Sequence, residues 1–63
     1  MYREAIESFK QAIRIKPDDV DAHYGLGLAY LSLSDKTSAL DEYKILKDLD
    51  SQMAEELFNL ICE

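Results

Sequence analysis

One cysteine, Cys62, stands among the 63 residues, so no disulfide can staple the chain internally. Such usage fits a reducing compartment, and a cytoplasmic location is the expectation. Basic residues are scarce, seven against thirteen acids, which gives a formal charge of −6 at pH 7. Phosphate backbones require a basic face, so no nucleic-acid partner is expected. No apolar run approaches the roughly 18 residues that span a bilayer, and no membrane partner is expected either. Tyr2, Arg3 and Glu4 follow Met1 directly, so a secretory leader is not expected. Glycine occurs twice, both times in "HYGLGLAYLSL" (residues 23–33), a run otherwise suited to helix. Each glycine inside a helix costs about 0.8–1.0 kcal/mol relative to alanine, so the pair needs an explanation.

What the chain does have is apolar content: 48% hydrophobic residues, four tyrosines among them, which sets it apart from a disordered tail. At this length it is one small domain, burying only about 60% of its unfolded surface, and self-association would help to stabilise it. Tyr2, Ala5, Ile6, Phe9, Ala12, Ile13 and Ile15 recur with a helical period, predicting a first helix over residues 2 to about 15. Its acids come early and its bases late, as the helix dipole favours. Pro17 stops it. "PDDVD" reads as a helix start with Asp18 or Asp19 as cap, opening a second helix from Val20 to Leu31 or Leu33. "SLSDKTS" breaks the chain again. A third helix, about Lys36 to Leu49, lines up Ala39, Leu40, Tyr43, Leu46 and Leu49. After a cap at Asp50 or Ser51, a short fourth helix carries Met53, Leu57, Leu60 and Ile61 on its apolar side. The fold class is all-α, four helices joined by very short turns.

Displaced by 34 residues, the sequence partly overlays itself: Ala5 on Ala39, Phe9 on Tyr43, Ala12 on Leu46, Ile15 on Leu49, Val20 on Ala54 and Leu26 on Leu60. "HYGLGLAY" provides His23-x2-Leu26-Gly27-x2-Tyr30, "ALDEY" provides Ala39-x3-Tyr43, and the first helix provides Ala5-x3-Phe9 followed by Pro17. This pattern resembles the tetratricopeptide repeat, whose helix pairs recur with this period, with His23 where tryptophan is common and Ser51 where a second proline would stand. The resemblance implies an antiparallel α-solenoid fragment forming a single domain over residues 1–63. Residues 1–19 would be the second helix of one repeat, 20–53 a full repeat, and 54–63 the first helix of another or a cap. Gly27 would be the close contact between paired helices, facing Ala39 and Tyr43. Gly25, on the far side of the helix, would face the inner groove, leaving room for a ligand or a neighbouring helix, or would be tolerated drift. Ser34 would occupy the left-handed turn position that often carries glycine, at a cost of roughly 1 kcal/mol.

The resemblance further implies a non-enzymatic interaction scaffold that holds a protein partner in a concave groove. The groove positions would be Asp21, Tyr24, Gly25, Leu28 and Ser32 on the second helix, with Glu55, Phe58, Asn59 and Cys62 on the fourth. Tyr24 and Phe58 are rigid aromatic anchors of the type that dominates interface energies, although Tyr24, Leu28 and Phe58 could equally cover a neighbouring turn. An apolar segment or a basic amphipathic helix suits the groove better than an acidic C-terminus, because Tyr24 and Leu28 stand where a carboxylate clamp needs lysine and asparagine. Two open ends would expose Tyr2, Ile6, Phe9 and Ile13 on one side and Met53, Phe58 and Ile61 on the other, favouring a homo-oligomer. Alternatively the fourth helix, with Glu55, Glu56 and Glu63 outward, caps an array, or the chain is a free-standing helical bundle. No catalytic residues, cofactor or metal are expected. His23 and Cys62 occur once each, His23 with Asp19 and Asp21 falls short of a ligand set, and "DLD" and "PDD" lack the spaced loop of a calcium site.

Overall fold

A computed structural model describes residues 2–62; Glu63, assigned above to an outward cap face, lies outside them. Four helices follow one another: α1 (Tyr2–Ile15), α2 (Val20–Ser32), α3 (Lys36–Leu49) and α4 (Ser51–Ile61). Each junction ends in an aspartate that caps the next helix. Asp19 accepts the Ala22 N–H at 3.1 Å, Asp35 accepts that of Ser38 at 3.1 Å, and Asp50 accepts those of Gln52 and Met53 at 3.1 and 3.2 Å. Asp50 also donates its own N–H to the Leu46 carbonyl at 2.7 Å, so one residue closes α3 and opens α4. The hydroxyl of Ser38, and then its backbone N–H, hold the Asp35 carboxyl below its ordinary value, with a small opposing contribution from desolvation.

The α2–α3 turn is a Schellman motif. Asp35 N–H donates to the Tyr30 carbonyl and Ser34 N–H to that of Leu31, both at 2.9 Å. Ser34 supplies the left-handed residue that this motif requires, with φ at 62°.

The helices form an antiparallel repeat stack. α2 is apolar nearly all round and touches α1, α3 and α4, whereas among the described residues α1 packs on α2 alone. The core is therefore displaced toward α2–α4: Leu46, Leu57 and Ala39 are fully buried, with Ala54, Ile61, Ala22, Leu26 and Ala29 close behind. α1 buries no residue fully. Ile15, expected on its apolar side, is 87% exposed, because two residues beyond Ile13 is about 200° around a helix. Ile61, expected at an open end, is instead 4% exposed: with Leu57 one turn earlier it forms the inner stripe of α4. Leu60, expected inside, is 38% exposed.

The two glycines are explained separately. A β-carbon on Gly27 would lie 2.6 Å from Leu57 Cδ2 and 3.5 Å from Glu42 Cβ. The close approach is thus to α4 first and α3 second. Ala39 and Tyr43, expected opposite Gly27, are not its nearest neighbours, because its bare face turns toward the seam between α3 and α4. A β-carbon on Gly25 would overlap the Phe9 ring, with Cε1 and Cε2 at 2.6 and 2.9 Å. A neighbouring helix, not an open ligand space, fills that position.

Candidate functional site

Each first-type helix, α2 or α4, has two long edges, and the expected groove residues divide between them. Tyr24 lies on the edge of α2 that faces α4. There it lines a cleft of about 420 Å³ with Glu56, Asn59 and Leu60. Phe58, the residue 34 positions on from Tyr24, lies on the matching edge of α4 and so belongs to a different surface. Its ring sits 4.9 Å from that of Tyr43, centroid to centroid and tilted by 37°. Together they line a second cleft with Lys47, Ser51, Ala54 and Glu55. Gly25 and Leu28 occupy the opposite edge of α2, where with Ala29 and Ser32 they face Tyr2, Ala5 and Phe9 of α1 across a third cleft.

Tyr24 and Asn59 are therefore brought together, Gly25 and Leu28 are not with them, and Phe58 is with neither pair. Asp21 is exposed on the first turn of α2, and Cys62 is exposed beyond α4. Of the residues expected at open ends, Tyr2 is 54% exposed and Phe58 38%, while Ile6, Phe9, Ile13 and Met53 are half-buried. Tyr24 and Leu28 also rest in part on the core cluster, so both have a packing role beside any other.

The residues assigned to repeat packing lie along the helix seams. His23, Leu26, Gly27, Ala39 and Leu46 are buried; Ala5, Phe9, Ala12, Tyr30 and Tyr43 are half-buried. Pro17 sits in the α1–α2 turn, and its carbonyl accepts a hydrogen bond from His23 Nε2 at 2.8 Å. The other ring nitrogen, Nδ1, stands 2.7 Å from Glu42 Oε1, and both side chains are almost wholly buried.

Sequence reasoning missed Glu42, which reads as a wet-face residue on α3, and Glu56 and Leu60, which form the α4 wall of the Tyr24 cleft. The three- and four-residue spacing from Glu56 to Asn59 and Leu60 is the signal that could have placed the latter pair on one face. Glu56 gives the Tyr24 cleft one acidic side chain, and Asp21, three residues before Tyr24 on α2, is exposed without lining the cleft. Among the described residues no group of His, Cys, Asp and Glu side chains is arranged to hold a metal ion. Among the described residues no helix is long and apolar enough to cross a membrane.

Comparison with known proteins agrees with this architecture. The photosystem I assembly protein Ycf3 of Cyanophora paradoxa is 34% identical, over 94% of this chain and 36% of that protein. Its counterpart in Synechococcus elongatus is 32% identical over the same shares. The chain thus spans just over a third of the length of the curated relatives it matches. No solved structure matches it significantly. The TPR-repeat family model matches residues 2–34, and the chain belongs to that family of helical, non-catalytic scaffolds for protein–protein contact.

Proposed function

We propose that this chain holds a basic amphipathic helix of a partner protein in the cleft between α2 and α4. The observation that carries this reading is the convergence of Tyr24 with Asn59, Leu60 and Glu56 on one concave surface. Tyr24 provides a rigid aromatic contact, Leu60 an apolar one, and the Asn59 amide both a donor and an acceptor. Glu56, the nearby Asp21 and the net charge of −6 favour a cationic rim on the ligand. The curated relatives are named for assembly of photosystem I. The same class of task, holding a protein partner while a complex is put together, is proposed for this chain without its partner's identity.

The test is a titration of a fluorescently labelled basic amphipathic peptide, with a charge-reversed peptide as control. Tyr24→Ala and Glu56→Lys should each weaken binding of the basic peptide, Glu56→Lys with a reduced salt dependence. Equal affinity for both peptides, or binding untouched by both variants, refutes the groove.

A second reading rests on its own observation: the Tyr43–Phe58 pair at one end, and the cleft bordered by Tyr2, Phe9 and Leu28 at the other, leave apolar surface on both faces. We propose head-to-tail self-association through these faces. Light scattering over a hundredfold concentration range should show a species larger than the monomer that Phe58→Glu abolishes. A monomer at every concentration refutes it.

A further inference from the structure

The buried ring of His23 is held at both nitrogens by groups that can accept a hydrogen bond, and this arrangement has a requirement that packing alone does not. From the α1–α2 turn the Pro17 carbonyl faces Nε2 at 2.8 Å; from α3 the Glu42 carboxylate faces Nδ1 at 2.7 Å. A carbonyl oxygen only accepts, so Nε2 must carry a hydrogen. A neutral imidazole would then turn the lone pair of Nδ1 toward the lone pairs of an ionised carboxylate. The contact is a hydrogen bond only if one further proton is present, either on Nδ1, giving an imidazolium–carboxylate pair, or on Glu42, giving a carboxylic acid that donates to Nδ1.

No neighbouring charge relieves this requirement. On α2 itself the nearest acid in sequence is Asp21, which is exposed, and the cap Asp19 is engaged elsewhere, its carboxylate accepting the Ala22 N–H and its carbonyl that of His23. Among the described residues, Glu42 is the one acid within ion-pair distance of the ring, and no lysine or arginine lies within that distance of Glu42. Both side chains lie in the seam beside Gly27, where water has little access: His23 is 4% exposed and Glu42 9%.

We propose that His23 and Glu42 form a one-proton latch that ties α2 to α3 and to the α1–α2 turn, closed while the proton is held and opened as rising pH removes it. An imidazole in an unfolded chain gives up its proton near pH 6.5 and a free carboxylic acid well below that. Above that pH the unfolded chain holds no proton on either group, whereas the closed latch holds one. Folding then takes up a proton, so stability is greatest at the acid side of this range and falls as pH rises. The slope for one proton is as much as a tenfold loss in the folding equilibrium constant per pH unit. Opening the latch releases the α2–α3 tie at Nδ1 first, since a neutral ring still keeps its Nε2–H on the Pro17 carbonyl.

Glu42→Gln tests this directly. Its amide can donate to an unprotonated Nδ1 while Nε2–H keeps the Pro17 carbonyl, so the variant latch needs no extra proton. Chemical denaturation of the full chain between pH 6 and 9 should show wild-type stability falling relative to Glu42→Gln by several-fold or more in the equilibrium constant. Parallel pH profiles would overturn the latch. Should Glu42→Gln fail to fold, the wild type decides alone: His23 is the one histidine in the chain, so its ring nitrogens are assigned without ambiguity in a nitrogen-15 spectrum. At pH 8 the folded chain should show either both ring nitrogens protonated or a protonated Glu42 carboxyl. A singly protonated ring beside an ionised Glu42 would overturn the proposal.

Discussion

Replacing Ser34 by glycine should stabilise the chain, and the turn geometry fixes the reason. Ser34 holds φ at 62°, where a β-carbon crowds the backbone and an L-residue is less stable by roughly 1–2 kcal/mol. Its N–H and that of Asp35 close the Schellman motif at 2.9 Å, so the residue cannot leave this conformation without releasing two hydrogen bonds. Its side chain is exposed and makes no hydrogen bond among the described residues, so removing it forfeits no contact. Against the gain stands the greater freedom of glycine in the unfolded chain, roughly 0.5–1 kcal/mol. The balance is a stabilisation of about 0.5–1 kcal/mol. In a domain of this size about 1 kcal/mol moves the thermal midpoint by roughly 4–8 °C, so Ser34→Gly should raise Tm by several degrees. Circular dichroism melts of wild type, Ser34→Gly and Ser34→Ala check this. Ser34→Ala keeps the β-carbon and should stay at or below wild type. A midpoint for Ser34→Gly equal to or below wild type, or a matching rise in Ser34→Ala, would refute the assignment of the strain to the left-handed backbone.

Three further outcomes follow from the helix seams and caps. Gly27→Ala should destabilise by about 1–3 kcal/mol despite alanine's better helix propensity, because its methyl would press on Leu57, which is fully buried and has nowhere to move; denaturant titration measures it. Gly25→Ala meets the far edge of the Phe9 ring on half-buried α1, which can swing outward, so its cost should be the smaller of the two in the same titration. Because hydrogen bonds from Ser38 lower the pKa of Asp35, its cap contributes stability above the ordinary carboxylate range and loses it as pH falls through the folded value. Asp35→Asn should therefore show a shallower loss of stability on the acid side than wild type, read from melts between pH 2 and 6.

Helix positions were legible in the sequence because their signals are local. Pro17 and the caps at Asp19, Asp35 and Asp50 bound the helices, and each acts within three residues of itself. The period of 34 residues named the repeat by the same token. What stayed hidden depends on partners distant in sequence. Glu42 lies between Asp41 and Tyr43 and reads as solvated; its burial follows from His23, 19 positions away, which draws the carboxylate into the seam. That Gly27 is bare for Leu57 and not for Ala39 depends on how α4 settles over α2 and α3, which no helical period encodes. Ile61 and Leu60 are adjacent and equally apolar, and only the docking of α4 decides that the first is buried and the second half-open.

The splitting of the expected groove has a consequence for how recognition and assembly relate. Every first-type helix offers a forward edge and a back edge, and a binding cleft needs the forward edge of one helix beside the back edge of the next. Among the described residues that condition is met once, where Tyr24 of α2 meets Glu56, Asn59 and Leu60 of α4. Among the described residues, Phe58 is a forward edge that shares its cleft with Tyr43 and Lys47 of α3, and Gly25 with Leu28 is a back edge that faces α1. The proposed partner binding and the proposed self-association would therefore be carried by different side chains of the same helices. Tyr24→Ala should weaken a bound peptide without changing the molar mass of the chain, and Phe58→Glu should change the molar mass without weakening the peptide. If one substitution impaired both, the two edges would not be independent, and peptide and second copy would have to share a single surface.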